Sequence, residues 1–211
     1  MRLPFSAAAT PARPSDHIGE VIEASSTGYT AQCFEPQDLT FPSMPALGSW
    51  VKSWDEETGH RIYGVTCHAA IAPIDSVHHT RALGLSPQEL REQQPQVFAM
   101  LRTVFQVAIV AFDTGDRLYG YLPPRPPQIH QAVYRCQAQE IQRLSQETEF
   151  LRTLLQVTGI PVDELMGAVI RNCYKTLNFD REWLITVGRR LSVLLKDDYD
   201  RLSAIIRKID V

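Results

Sequence analysis

Proline is distributed unevenly along this sequence, and its distribution limits where long helices can form. Thirteen of the 14 prolines lie at or before Pro127, and only Pro161 follows. Proline lacks a backbone N–H and clashes with the preceding helical turn, so it interrupts helix interiors. The sequence therefore predicts short elements before residue 127 and longer helices after it. The expected fold class is α+β, with a strand-rich N-terminal part followed by a helical region.

A boundary is expected at residues 123–127, where four prolines surround one arginine. Such a run favours extended polyproline II and acts as a stiff spacer. Recognition by an SH3-type domain is the less favoured alternative. The sequence accordingly predicts a flexible tail over 1–16, a barrel over 17–122, a Pro-rich linker over 123–130 and an α-helical domain over 131–211.

The N-terminal part shows the alternation and the turn residues that are typical of short strands. Residues 18–24 and 29–34, joined by a Ser-Ser-Thr-Gly turn, indicate a hairpin. Further strands are predicted at 47–54, 61–70, 103–112 and 118–122. Six short strands separated by turns indicate a small closed β-barrel. Three glycines inside or beside these strands indicate bends or close backbone approaches: Gly19, Gly48 and Gly64.

Beyond residue 128 the apolar period becomes helical. Residues Tyr134, Ile141, Thr148 and Leu155 recur every seven positions, with Gln137, Leu144 and Leu151 between them. This spacing predicts one long helix that ends at Gly159-Ile160-Pro161 and carries one apolar seam. Further helices are expected to open at Asp163 and Arg181, with a bend near Gly188 as one possibility for the last of them. We define the helical seam as Tyr134, Ile141, Leu144, Leu151 and Leu155.

Three strand sequences together resemble a known family. Residues 17–27 carry a G-x-V pattern, 45–51 an L-G-x-aromatic-V pattern and 62–66 a Y-G-V pattern, in that order. The segment 93–105 also resembles a connection between fourth and fifth strands. On these residues the chain is similar to the HerA/ATP-synthase barrel, or HAS-barrel, family over 17–122. With its short helical tail, it resembles the stand-alone HAS-barrel proteins of cyanobacteria.

The resemblance implies a barrel that caps a ring ATPase, joins neighbouring subunits and presents a docking face. Ring ATPases of this family carry a P-loop after the barrel, whose backbone amides bind phosphate. The P-loop pattern does not occur in this sequence. Its nearest match, Gly115 and Gly120, is followed by Tyr121 and Leu122. The resemblance therefore implies the docking role and not nucleotide hydrolysis.

Cys67-His68 and His78-His79 are the main candidates for a metal site or a thiol nucleophile, because both residue types serve in such sites. A buried, unreactive Cys67 beside an exposed His68 is the preferred interpretation. The four cysteines form no C-x-x-C motif. The N-terminus does not resemble a signal peptide, and no apolar run is long enough to span a bilayer. Reduced thiols in a cytoplasmic protein without cofactor or metal are therefore expected.

Two acidic runs, 55–57 and 197–198, could serve as acid–base pairs. Their expected places, in a hairpin turn and on an exposed helix face, favour solvated charge instead. Trp50 and Trp54 lie four residues apart on one predicted strand. We interpret them as barrel core, with a stacking platform as the alternative.

The function expected from the sequence is a non-catalytic interaction or assembly module that docks onto a ring ATPase or a large energy-converting complex. The candidate partner-binding residues are the helical seam together with Arg189 and Arg190. The seam can instead pack on the chain's own helices, or pair two copies, and the arginines can be an ordinary charged face. A net charge of −3 disfavours constitutive nucleic-acid binding. An accessory factor that contacts DNA or RNA directly is the alternative function, and an enzyme with an unrecognised site is a third.

Overall fold

The computed structural model of the chain describes residues 14–34, 44–74 and 83–209. Residues 1–13 of the predicted tail, and His78 and His79, lie outside the described residues. Those described form, in chain order, β1 (His17–Ala24), β2 (Gly28–Cys33), β3 (Trp50–Asp55), β4 (His60–Pro73), α1 (Pro87–Gln93), α2 (Gln96–Ala99), β5 (Leu101–Asp113), β6 (Leu118–Tyr119), β7 (Ala132–Arg135), α3 (Ala138–Gln146), α4 (Phe150–Leu155), α5 (Val162–Thr176), α6 (Arg181–Leu194) and α7 (Tyr199–Lys208).

Six antiparallel strands close into a barrel in the order β2-β1-β7-β3-β4-β5. Closure comes from β5, which pairs back onto β2 with Gly28 opposite Ala108 and Gln32 opposite Val104. Helices α3 to α7 follow the last barrel strand. The predicted α+β class, with a closed six-stranded barrel before a helical region, is confirmed. Among the described residues, no helix combines the length and apolar character that a membrane crossing requires.

The sixth barrel strand is not the one that the sequence predicts. Leu118–Tyr119 forms only the two-residue β6 at the end of β5. The barrel is completed by β7, which pairs with both β1 and β3. This strand lies inside the stretch assigned to the helical domain, so Tyr134 belongs to the barrel wall. Four residues are too few to establish a strand period, and the spacing from Tyr134 to Ile141 therefore suggested a helix.

The long helix predicted after residue 128 is divided into α3 and α4. Glu147 has an extended backbone conformation, with φ −96° and ψ 116°, and it ends α3. Both helices contribute side chains to the same core, which explains why the apolar spacing continues across the break. A second break separates α6 from α7 at residues 195–198, and not near Gly188.

The barrel strands separate two apolar cores. The barrel interior is filled by side chains from all six strands, among them Val21, Ala31, Val51, Ile62, Phe105, Ile109 and Val133. The outer core lies between the barrel wall and the helices, and it contains Trp50, Tyr63, Val65 and Val110 together with Leu151, Leu154, Leu165, Ile170 and Leu191. Trp50 is thus a core residue, but of the outer core. The barrel and the helices share this core.

The Pro-rich segment lies against the barrel, and barrel strands both precede and follow it. Pro123 and Pro127 are buried. The Arg125 guanidinium lies 3.4 Å from the Asp55 carboxylate, and the Gln128 amide donates a hydrogen bond of 2.5 Å to the same carboxylate. These contacts hold the segment at the turn between β3 and β4, from which the chain re-enters the barrel as β7.

The Asp55 carboxylate should make stability depend on pH. Burial raises its pKa, but hydrogen bonds from Thr58 and Gln128 and the charge of Arg125 outweigh burial, so the net pKa lies below its ordinary value. Such a group stabilises the fold above its unfolded-state pKa, and this contribution is lost as pH falls through the folded-state pKa. We expect Asp55→Asn to reduce the loss of unfolding free energy between neutral and acidic pH, measured by urea unfolding at a series of pH values. The exposed Asp116, replaced in the same way, is the control, and an equal reduction there would contradict the assignment.

Candidate functional site

The helical seam is packed inside the chain. Its four helical members are buried or half-buried in the outer core: Ile141, Leu144, Leu151 and Leu155. Tyr134 lies apart from them on β7, where its ring stacks on His17 with centroids 4.6 Å apart and meets Trp54 edge-on. The sequence leaves open whether these side chains bind a partner or pack within the chain, and the structure shows them packed within the chain. A partner-binding role for them stays a prediction, and they present no continuous surface for one.

Arg189 and Arg190 both lie on α6 but in different surroundings. Arg190 is half-buried and forms an ion pair with Glu149. Arg189 is exposed on a helix face that it shares with Ile185 and Val193, which are 46% and 64% exposed. Because Glu149 neutralises one guanidinium, the two arginines do not form a paired cationic site. The structure also does not bring them together with the helical seam into one surface.

The thiols are poorly suited to nucleophilic chemistry. All four cysteines are free, and all but Cys136 are buried. Burial raises the pKa of Cys33 to about 11 and that of Cys173 to about 12, and it also raises the pKa of Cys67. His68, next to Cys67, is exposed, as the sequence predicts. Within the described ranges, no three His, Cys, Asp or Glu residues are placed to hold a metal ion.

These pKa shifts predict low thiol reactivity, because the thiolate is the reactive form. We expect the native protein to react with Ellman's reagent much more slowly than free cysteine at neutral pH. All 4 thiols should react promptly after denaturation. A thiol in the native protein that reacts as fast as free cysteine would contradict this assignment. Thiol-to-serine variants at each position would then identify the reactive residue.

The acidic candidates have different surroundings. Glu57 and Asp197 are solvent-exposed, at 65% and 89%, and Glu57 also pairs with Arg125. The expected helix face at 197–198 is wrong, because these residues lie in the turn between α6 and α7. Solvated charge is wrong for Asp55, which is 2% exposed and bound by Gln128 and Arg125. The structure places Asp55 at the end of a barrel strand, so its carboxylate serves to fasten the Pro-rich segment.

A groove of about 420 Å³ lies where the barrel meets the connection between α4 and α5. Part of its lining comes from the end of β1, the β1–β2 turn and the start of β2, within residues 23–30. A second part comes from the end of α4 and the following loop, from Thr153 to Ile160. The outer face of the barrel contributes Cys67 and Ala108. The groove is therefore built by both parts of the chain.

The lining of the groove is mostly neutral and able to form hydrogen bonds. Five hydroxyl or amide side chains along it form no side-chain hydrogen bond within the described part of the chain: Thr27, Gln106, Thr153, Gln156 and Thr158. Of the lining residues that the structure describes, only Glu23 carries a formal charge, and the Thr30 hydroxyl lies 3.5 Å from its carboxylate. Leu122 and Val157 add apolar surface. Such a surface can hold a ligand that offers both hydrogen-bond donors and acceptors.

The sequence alone does not reveal this groove. Thr27, Gln106 and Gln156 come from three segments that are far apart in the chain. The pairing of β5 with β2 brings the first two near each other, and the packing of α4 on the barrel wall adds Gln156. The available signals are limited to the Ser-Ser-Thr-Gly turn and Gly159, which mark two of the segments as loops. Nothing in residue spacing links one loop with the other.

No protein-family model matches the sequence, and no curated protein matches it. The fold and the groove define the chain as a closed antiparallel β-barrel protein whose C-terminal helices pack on the barrel wall beside an open concave junction.

Proposed function

We propose that this chain is a non-catalytic interaction or assembly module, and that a partner protein docks in the groove between the barrel and the α4–α5 loop. The partner class is a ring ATPase or a large energy-converting complex, and the setting is the cytoplasm. The observation that carries the proposal is the open groove with five polar side chains that have no partner within the described residues.

A concave surface with a small number of convergent polar groups and some apolar area is the usual geometry of a binding site. The groove has this composition, since its lining includes Gln106 from the barrel, Gln156 from the end of α4 and the apolar Ala108. Its walls belong to the barrel and to the helices, so a partner seated there contacts both. This arrangement supports docking by the whole chain over docking by the barrel alone.

The state of the potential catalytic groups also supports binding over chemistry. Two buried carboxylates are each paired with an arginine. Asp113 accepts a hydrogen bond of 2.6 Å from Arg143, and Asp55 lies beside Arg125. The buried thiol of Cys67 has a raised pKa, which disfavours the thiolate. Acid–base or thiol catalysis would require these groups to be released from their present contacts.

The ring-ATPase partner class rests on the HAS-barrel resemblance. In that family the barrel joins neighbouring subunits and presents a docking face. This chain has the barrel and, after it, not a P-loop but helices that pack on the barrel wall at β3, β4 and β5. We propose that it occupies a barrel-docking position on a complex whose chemistry is performed by another subunit.

Direct nucleic-acid binding, the alternative, is disfavoured by ion pairing. Many cationic side chains already have a carboxylate partner in the chain, among them Lys52, Arg125, Arg143, Arg190, Arg201 and Lys208. Phosphate contacts need cations that can replace condensed counterions. Binding to labelled DNA or RNA that weakens steeply with salt would favour the alternative over protein docking.

Photo-crosslinking in living cells tests the proposal. A photoreactive residue in place of the exposed Gln156 reports on the groove, and one in place of the exposed Arg207 on α7 is the matched control. We expect a discrete crosslinked product, containing a defined second protein, from position 156 and not from position 207. Identical product patterns from the two positions would overturn docking in the groove.

A further inference from the structure

We infer that the groove binds an extended peptide segment that is rich in neutral hydrogen-bonding groups and places a Lys or Arg side chain against Glu23. This inference rests on the proposed docking function and specifies the chemistry of the partner. It follows from the lining of the groove and from its charge.

The unpartnered side chains match a peptide backbone. A threonine hydroxyl and a glutamine amide can each both donate and accept a hydrogen bond. An extended backbone presents N–H and C=O groups in alternation, and so needs both functions along its path. Thr27 and Gln106 lie on the barrel side, and Gln156 and Thr158 lie on the loop side. A segment between them meets such groups on both flanks.

The barrel side of the groove suits a backbone at close range. Ala24, Cys67 and Ala108 contribute small side chains to the lining. Small side chains let the backbone of an extended segment approach the strands closely.

The charge of the groove selects a cation. Among the described residues, Glu23 is the single charged side chain in the lining, and none of them supplies a Lys or Arg there to neutralise it. A partner segment that covers the groove removes water from this carboxylate, which is costly unless an opposite charge replaces the water. A Lys or Arg on the segment meets that requirement, and an acidic segment would be repelled.

The test uses the purified full chain and arrays of immobilised peptides built from Ser, Gln and Gly, with Lys, Arg, Gln, Leu or Glu at the central position. We expect the Lys- and Arg-centred peptides to bind about five-fold more tightly than the Gln-centred one, which corresponds to roughly 1 kcal/mol. The Glu-centred peptide should bind most weakly.

Three variants locate the binding. Glu23→Gln should remove the preference for Lys and Arg while the Gln-centred peptide still binds. The double variant Gln156→Ala with Thr158→Val should weaken all peptides, and both residues are exposed, so the fold should persist. Asp197→Asn, an exposed carboxylate in the turn after α6, is the control and should change nothing. Absence of peptide binding, or a cation preference that survives Glu23→Gln, would overturn the inference.

The photo-crosslinking and the peptide arrays test different claims, so each can contradict its own claim without the other. A defined crosslinked partner at position 156 without a cation preference on the arrays would retain docking and refute the inferred peptide chemistry. A cation preference on the arrays without a crosslinked partner would retain the peptide site and refute the proposed assembly role.

Discussion

Lys52→Met is expected to lower the free energy of unfolding by about 3 kcal/mol. The Lys52 ammonium on β3 donates to the Glu140 carboxylate on α3 at 2.8 Å. Only 11% and 16% of the two side chains are exposed. Removing the lysine leaves a largely buried carboxylate, and the Arg61 guanidinium, at 3.9 Å, is its remaining cationic neighbour among the described residues. Urea unfolding at neutral pH measures the loss.

A double-mutant cycle with Glu140→Gln separates the ion pair from the packing of the lysine stem. Glu140 also accepts a hydrogen bond from the Gln137 N–H at the start of α3, and a glutamine can still accept it. The double variant should therefore be considerably more stable than the sum of the two single losses implies. Additive losses, within about 0.5 kcal/mol, would contradict the coupling. The exposed Lys196, replaced by methionine, serves as the surface control.

Gly48→Ala is expected to cost about 3 kcal/mol, from backbone strain and steric overlap together. Gly48 has φ +76°, a left-handed conformation that other residues rarely adopt. A Cβ there would lie 2.7 Å from the Val169 nitrogen and 2.9 Å from the Ala168 Cβ. The loop before β3 and helix α5 would have to separate. The shift in the urea midpoint measures the loss.

Gly59→Ala is the matched control for the Gly48 variant. Gly59 has a similar φ of +70°, but a Cβ there would meet nothing within 4 Å. Its replacement by alanine should lower the free energy of unfolding only by the cost of the backbone strain, about 1 kcal/mol. Equal destabilisation by the two substitutions would show that the contact between Gly48 and α5 does not limit stability.

The elements with a strong local pattern could be predicted from the sequence. The first hairpin has alternating residues and a turn of its own, and it forms β1 and β2. Ser86 and Glu89 define the start of α1 through a capping box, in which each side chain accepts a hydrogen bond from the other residue's backbone. The close approach predicted at Gly48 is confirmed by its contact with α5. The hairpin and the capping box depend on neighbouring residues, whereas the contact at Gly48 is made with a distant segment, at Ala168 and Val169.

The remaining features depend on contacts between distant segments. Strand β7 forms because β1 and β3 offer edges on both of its sides, which four residues cannot reveal. The break after α3 is not marked by Pro or Gly, and the Ile141–Leu155 spacing masks it. The ion pair of Lys52 with Glu140 joins residues 88 positions apart. The groove arises only after barrel closure, so its residues carry no shared sequence signal.

The most direct test of docking through the groove is the native size of the chain in extracts of the cells that express it. Size-exclusion chromatography should show the wild-type chain in an assembly larger than the free chain. The Gln156→Ala, Thr158→Val variant should elute as the free chain, and the Lys196→Met variant should stay in the assembly. Elution of the wild-type chain as a free chain would contradict the proposed docking function. A groove variant that stays in the same assembly would contradict the groove as its docking site.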